Sequence, residues 1–281
     1  MKNDLTNTKL AFIGCGVMAE SIVAGLLRQE LVKPEQITAS HPNANRRAEL
    51  GEKYGITVFE HNSEAAEAVR GSENSIVALC VKPQRLDGVM RGLKDAIAPE
   101  QIILSIVAGA KLETISAALG HGKIVRAMPN TPAQIGAGIT AWTCTAEVSE
   151  NEQAQIRSIL TALGKELRVE TENMIDMATS LSATGPTYIF MVMEALTDAG
   201  VHLGFSRDMS KELVQETMLG AVKFAMESHK HPAELRNMVT SPGGTSADAI
   251  YQMEKGGLRT VLSKAVYAAY QRAVALGEKK S

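Results

Sequence analysis

The sequence predicts an α/β domain with a doubly wound, mainly parallel sheet, followed by an all-α domain. Three observations carry that expectation. Strand-like and helix-like segments alternate through roughly the first 168 residues, the pattern of a parallel sheet with helices on both faces. The first strand–helix junction reads "GCGVMA", a glycine pattern suited to a phosphate-bearing ligand. From Met174 to Gly277 the pattern is helical, broken at "GP", "GFSR", "HKHP" and "SPGG".

The elements follow in order. "KLAFIG" is a short apolar strand, and "MAESIVAGLLRQ" has helical spacing with an apolar face at Ile22, Leu26 and Leu27. "QITAS" is a second strand. "ANRRAELGEKYG" is a polar helix closing on Gly55 as its C-terminal cap. Then come the strand "ITVFE", the helix "NSEAAEAVRG", the buried-type strand "SIVALCV" and a helix near 84–97. The strands "QIILSIVA", "KIVRAMPN", "GITAWTCTA" and "KELRVE" complete the first half. In the second half Val214, Met218, Val222 and Ala225 recur at three- and four-residue steps, an amphipathic helix. The division expected is 1–168 for a Rossmann-type nucleotide domain and 169–281 for a helical domain.

Composition bounds the function. The chain has 281 residues and a net charge of -2, a balance that argues against nucleic acid or an anionic membrane as the main partner, since both call for a basic face. Cys15, Cys80 and Cys144 are scattered, and no Cys/His cluster suggests a metal site; reduced thiols and a cytoplasmic setting are expected. Neither an apolar leader core nor a bilayer-length apolar run is visible.

The glycine motif predicts a dinucleotide. Gly14 permits a tight turn, Gly16 lets the backbone approach a pyrophosphate, and Ala19 is small enough for helix–sheet packing. The alternative is a purely structural turn. After the second strand stand Ser40, His41 and Asn43, then Arg46 and Arg47, with no acid before Glu49. A carboxylate there would repel a 2′-phosphate, so NADP(H) is favoured over NAD(H), unless the two arginines are only solvated helix charges. "CVKPQ" ends a buried strand at the ligand-binding edge, leaving Lys82 and Gln84 near the crevice. Asn130, between two prolines, is a fixed polar group suited to a ribose or a nicotinamide amide. Cys80 reads as core and not as a nucleophile.

"VTSPGGTSADAI" raises the specific question. Thr245 with Asp248 fits a capping box, and Ser246 is an alternative cap. Amides of Gly243, Gly244, Thr245 and Ser246 would face an anion at such a helix start, and the bare glycines let it come close. An ordinary helix connection is the alternative. His229 and His231 lack a third ligand, so a turn or helix start suits them better than a metal. Glu194 and Asp198, a turn apart, read as a helix face and not as an acid–base pair.

"GCGVMAESI", "CVKPQ", "RAMPNTP", "SATGPTYIF", "EALTDAGVHLGFSR", "HPAELRNMVTSPGGTS" and "GGLRTVLSKAVYAAYQRA" together resemble the pyrroline-5-carboxylate reductase family, in its order and over nearly the whole chain. The resemblance implies reduction of 1-pyrroline-5-carboxylate, a cyclic imino acid, to L-proline with NADPH or NADH, the last step of proline biosynthesis. It also implies a helical domain that interlocks into dimers, often gathered into rings. By position, Gly14, Gly16, Val17 and Met18 would contact the pyrophosphate. Ser40 would lie near the 2′-phosphate, Asn62, Lys82 and Pro83 along the adenosine and ribose side, and Ala108 and Asn130 near the nicotinamide. Ser241, Gly243, Gly244, Thr245 and Ser246 would bind substrate, with Ser246 the catalytic candidate. Where the family reads SGSGPAY this chain has "SATGPTY", so Ala183 and Thr187 bring larger side chains; Ser246 stands where Thr is common, and the hydroxyl survives. Two rivals stay open: a reductase of another imino or small acid on the same scaffold, and a non-catalytic NADP-binding regulator. A hydroxy-acid dehydrogenase would carry a catalytic Lys in "TSLSATGPTYIFMVMEA", and there is none.

Overall fold

The computed structural model describes residues 5–72 and 74–278. Two compact units emerge: one reaches to Thr184 and takes in the chain from Ala269 onward, and the other is Gly185–Ala268.

The first unit is built on one eight-stranded sheet. Its strands are β1 (Thr8–Ile13), β2 (Ile37–Ser40), β3 (Thr57–Phe59), β4 (Asn74–Leu79), β5 (Ile102–Ser105), β6 (Ile124–Met128), β7 (Gly138–Cys144) and β8 (Gly164–Arg168). Their spatial order is β3-β2-β1-β4-β5-β6-β7-β8. The helices between them are α1 (Val17–Arg28), α2 (Ala44–Tyr54), α3 (Asn62–Glu67), α4 (Leu86–Leu93), α5 (Leu112–Leu119) and α6 (Glu150–Thr161). Winding reverses between β1 and β4, so a crevice opens beyond their carboxyl ends, the place where open α/β sheets bind ligands.

Period two decides what each strand buries. Leu10, Phe12, Ile76 and Ala78 pack with α1 and α6 on one face, while Ala11, Ile13, Val77 and Leu79 pack with α3, α4 and α5 on the other. Burial on both faces explains why these strands are near-continuous apolar runs. Trp142 is fully buried in the first layer, with its Nε1 donating to Glu166.

The sheet is mainly parallel, as expected, with one antiparallel pair, β6 and β7. Only residues 129–137 join them, fewer than the dozen or so that a parallel crossover needs. Parallel pairing resumes between β7 and β8, which α6 separates. That helix starts at a capping box, Ser149 with Glu152. Gly55 closes α2 at φ 68°, as its position after "EKY" predicts.

Beyond the sheet α7 (Asn173–Ala178) runs into a π-helical turn at Thr179–Ala183. The second unit holds α8 (Gly185–His202), α9 (Arg207–Ser228), α10 (Pro232–Met238) and α11 (Thr245–Lys255), and α12 (Leu258–Gly277) begins in it. The breaks fall at the punctuation in the sequence: "GP" opens α8, "GFSR" separates α8 from α9, "HKHP" leads to α10 and "SPGG" to α11. His229 takes a left-handed φ of 54° at the end of α9, and His231 caps α10 through Nδ1, which accepts from the Ala233 amide. Both are helix-boundary residues. Large apolar side chains of this unit stand exposed, among them Phe190, Met191, Leu203, Val222 and Phe224.

Candidate active site

The glycine turn follows β1. Gly14 has φ 83°, and a Cβ there would stand 2.5 Å from Val81 Cγ1, so the position admits neither a side chain nor its usual backbone. Its amide donates to Ser40 Oγ at 3.2 Å, and that hydroxyl donates to Asn62 Oδ1 at 2.8 Å. Gly14, Ser40 and Asn62 are thereby joined across β1, β2 and α3. Ser40 is fully buried, so its hydroxyl braces the turn. Gly16 is the N-cap of α1 and no side chain caps the helix. A Cβ on Gly16 would meet nothing within 4 Å, leaving the backbone approachable at a helix start with a positive dipole end. Val17 is exposed on the first turn, Met18 half-buried, and Ala19 buried against the sheet. This cradle fits a dinucleotide pyrophosphate.

Arg46 and Arg47 stand at the start of α2, which Asn43 caps by accepting from the amides of Asn45 and Arg46. Both guanidiniums are engaged. Arg47 donates to the carbonyls of His41 and Pro42 and pairs with Glu60 at 2.8 Å. Arg46 pairs with Glu49 at 2.6 Å and with Glu20, an acid in the first turn of α1. Glu20 also accepts from Lys53 at 3.0 Å and from the Tyr54 hydroxyl at 2.8 Å. Burial alone would raise the Glu20 carboxyl, but the hydrogen bonds from Lys53, Tyr54 and Arg46 outweigh it and hold the group at about 2. Bonds to Glu49 and then Glu20 raise the Arg46 guanidinium in turn. Nothing in the spacing of Glu20 and Arg46 advertises this partnership.

Lys82 and Pro83 are exposed beyond β4, where Pro83 opens a short 3₁₀ turn. Burial pushes the Cys15 thiol up to about 12 and the Cys80 thiol well above its ordinary range, so neither is a thiolate at neutral pH. Ala108 is half-buried in the loop after β5, next to Gly109, whose φ is 74°. Asn130 follows β6; its Oδ1 accepts from the Ile139 amide at 3.0 Å and its Nδ2 donates to Ser182 Oγ at 3.4 Å. Ser182 lies in the π-helical turn, a kind of irregularity common at functional sites. Arg126, on β6, ties that strand to α7, the helix that runs into this turn. It is buried, donating to Glu172 at 2.9 Å and to Asp176 at 2.5 Å, while Glu172 Oε1 also accepts from the Leu112 amide at 2.7 Å.

The late glycine loop belongs to the second unit. Ser241 accepts from the Gly244 amide at 3.1 Å, with Pro242 second and Gly243 third at φ 69°, the residue order of a type II turn. A Cβ on Gly244 would come within 2.6 Å of Ser241 Oγ. The capping box expected at Thr245 and Asp248 is absent: α11 already begins at Thr245, with Gly244 as N-cap and no side-chain cap. The turn delivers the chain into the helix one residue earlier, so Thr245 takes a helical position and cannot cap. Among the described residues the amides of Gly243, Thr245 and Ser246 therefore have no protein acceptor. Ser246 is half-buried, and Ser241 and Thr245 are exposed. Glu194 is exposed and Asp198 pairs with Arg207 at 2.9 Å, as a helix face would.

Residues 172–276 match the family model described as pyrroline-5-carboxylate reductase dimerisation, and residues 9–109 match that described as NADP oxidoreductase coenzyme F420-dependent. A pyrroline-5-carboxylate reductase of Pseudomonas aeruginosa is 40% identical over 275 residues, covering 98% of this chain and 98% of its own. The solved pyrroline-5-carboxylate reductase of Coxiella burnetii superposes with a TM-score of 0.87 at 34% identity, covering 98% of this chain and 100% of the other. The Plasmodium falciparum pyrroline carboxylate reductase, solved with NADP bound, gives 0.87 at 28% identity, covering 97% and 99%. With the glycine cradle, the bare start of α11 and these likenesses along its whole length, the chain belongs to the pyrroline-5-carboxylate reductase family.

Proposed function

We propose that the chain reduces the C=N bond of 1-pyrroline-5-carboxylate to give L-proline, with NAD(P)H as reductant. The observation that carries the assignment of the substrate is the uncapped start of α11 behind the Ser241–Gly244 turn. The three free amides of Gly243, Thr245 and Ser246, at a positive dipole end, suit a carboxylate. Gly14, Gly16, Val17 and Met18 would hold the pyrophosphate. Asn62, Lys82 and Pro83 would line the adenosine side with Ser40 bracing the turn, and Ala108 and Asn130 would meet the nicotinamide. The division of labour is residues 1–168 for the cofactor and 169–281 for dimerisation and substrate.

When bound, the nicotinamide supplies a hydride to the imine carbon. The chain's own task is to orient the ring, exclude water and place a proton on nitrogen. A protonated imine is the better electrophile, so the proton arrives before or with the hydride. The amides of Gly243, Thr245 and Ser246 hold the carboxylate, and the Ser246 hydroxyl bonds the ring nitrogen. An alcohol is a weak acid, so Ser246 relays a proton from water and fixes the ring. Ser246→Ala should lower kcat/KM for the imine about tenfold to a hundredfold while the NADPH dissociation constant stays within twofold. Unchanged kcat/KM would remove Ser246 from the mechanism.

The dimerisation domain marks the chain as self-associating, and the exposed Phe190, Met191, Val222 and Phe224 supply apolar surface for it. No described helix is long and apolar enough to cross a membrane. A ring of dimers in the cytoplasm completes the reading, and light scattering that returns a lone dimer would remove the ring.

A further inference from the structure

In dinucleotide-binding folds the end of the second strand meets the ribose 2′ position, where an acid selects a hydroxyl and an arginine admits a phosphate. Here that place holds two arginines, and their partners differ in kind. Arg47 is spent on its own loop, bonding the carbonyls of His41 and Pro42 as well as Glu60. Among the described residues the Arg46 guanidinium bonds side-chain carboxylates alone, those of Glu20 and Glu49. Its partner Glu20 has two other donors, Lys53 and Tyr54, so Glu20 loses little when Arg46 turns away.

We propose that Glu20 and Arg46 form an exchangeable ion pair that sets the choice between phosphorylated and unphosphorylated cofactor. Arg46 leaves Glu20 for a 2′-phosphate, and Glu20 stays compensated by Lys53 and Tyr54. With a bare 2′-hydroxyl, Arg46 remains on Glu20. Glu20 thus competes with the phosphate for one guanidinium, and Lys53 weakens the competitor. The inference rests on reading the "GCGVMA" crevice as the NAD(P)H site, and it adds a residue from α1 as specificity determinant.

Glu20 and its partner Lys53 should act in opposite directions. Calorimetric titration of the full chain with 2′-phospho-ADP-ribose and with ADP-ribose reads this without turnover. Glu20→Gln should tighten the phosphorylated ligand about twofold to fivefold at low salt, and Lys53→Met should weaken it by a similar factor. Affinity for ADP-ribose should stay within twofold in both. In an Arg46→Met background the Glu20→Gln effect should vanish. A merely structural role would move both variants the same way and both ligands together, and either result overturns the proposal. Binding of neither ligand by the unmodified chain would instead overturn the cofactor site, and the inference with it.

Discussion

Arg126→Met is expected to cost about 3–5 kcal/mol of stability, the loss typical of breaking a buried ion pair from one side. Arg126 is 2% exposed and Asp176 6%, so methionine fills much of the volume but leaves a carboxylate in the interior without its partner. The damage spreads, because Glu172 also holds the first amide of α5 and loses the cation that fixes it. With total stability of order 5–15 kcal/mol, such a variant sits near the threshold of folding. Its urea midpoint and soluble yield should both fall. Adding Asp176→Leu should recover part of the loss, because an apolar pair in place of a buried ion pair is often neutral. A midpoint equal to the parent's would mean that the partly exposed Glu172 lets water into the knot.

Gly14→Ala should raise the NADPH dissociation constant on the order of a hundredfold. At φ 83° alanine is strained by about 1–2 kcal/mol, and its methyl would land 2.5 Å from Val81 Cγ1. Relieving that clash moves the turn off Ser40 and misdirects the amides of α1. Gly16→Ala is the informative companion. Its φ of -84° is ordinary and its new methyl meets no protein atom, so the melting temperature should hold. NADPH should nonetheless bind about tenfold more weakly, because the methyl occupies space through which the ligand nears the backbone. Full affinity in Gly16→Ala, measured by fluorescence titration, would place the pyrophosphate elsewhere.

Local chemistry made much of the molecule legible in the sequence. The Gly55 cap, the start of α8 at "GP" and the break before α11 each depend on backbone preferences of one or two residues, which the sequence displays. The direction of β7 depends on the length of the 129–137 connection, a constraint that periodicity does not express. Helices α5 and α6 were masked by short or polar apolar spacing. At the site, Gly14, Gly16 and the "SPGG" loop were visible because glycine marks close approach. Glu20 was not, since its link to Arg46 spans 26 residues and two helices. Arg126, Glu172 and Asp176 were hidden for the same reason: a buried ion knot is made by packing, and each member alone reads as an ordinary charge. The start of α11 shows a subtler limit. "TSAD" offers a good capping box, yet the preceding turn fixes the helix start one residue earlier and leaves the amides without a side-chain cap.

The glycine turn after β1 suits a dinucleotide and the loop from Ser241 to Ser246 suits a carboxylate, and the chain is expected to reduce a five-membered cyclic imine bearing a carboxylate. The most direct test follows NADPH absorbance with 1-pyrroline-5-carboxylate and quantifies the amino acid formed. One L-proline per NADPH oxidised is predicted, with a much lower rate on an imine of the same ring size that lacks the carboxylate. No oxidation with the five-membered substrate, or equal rates with and without the carboxylate, would contradict the account.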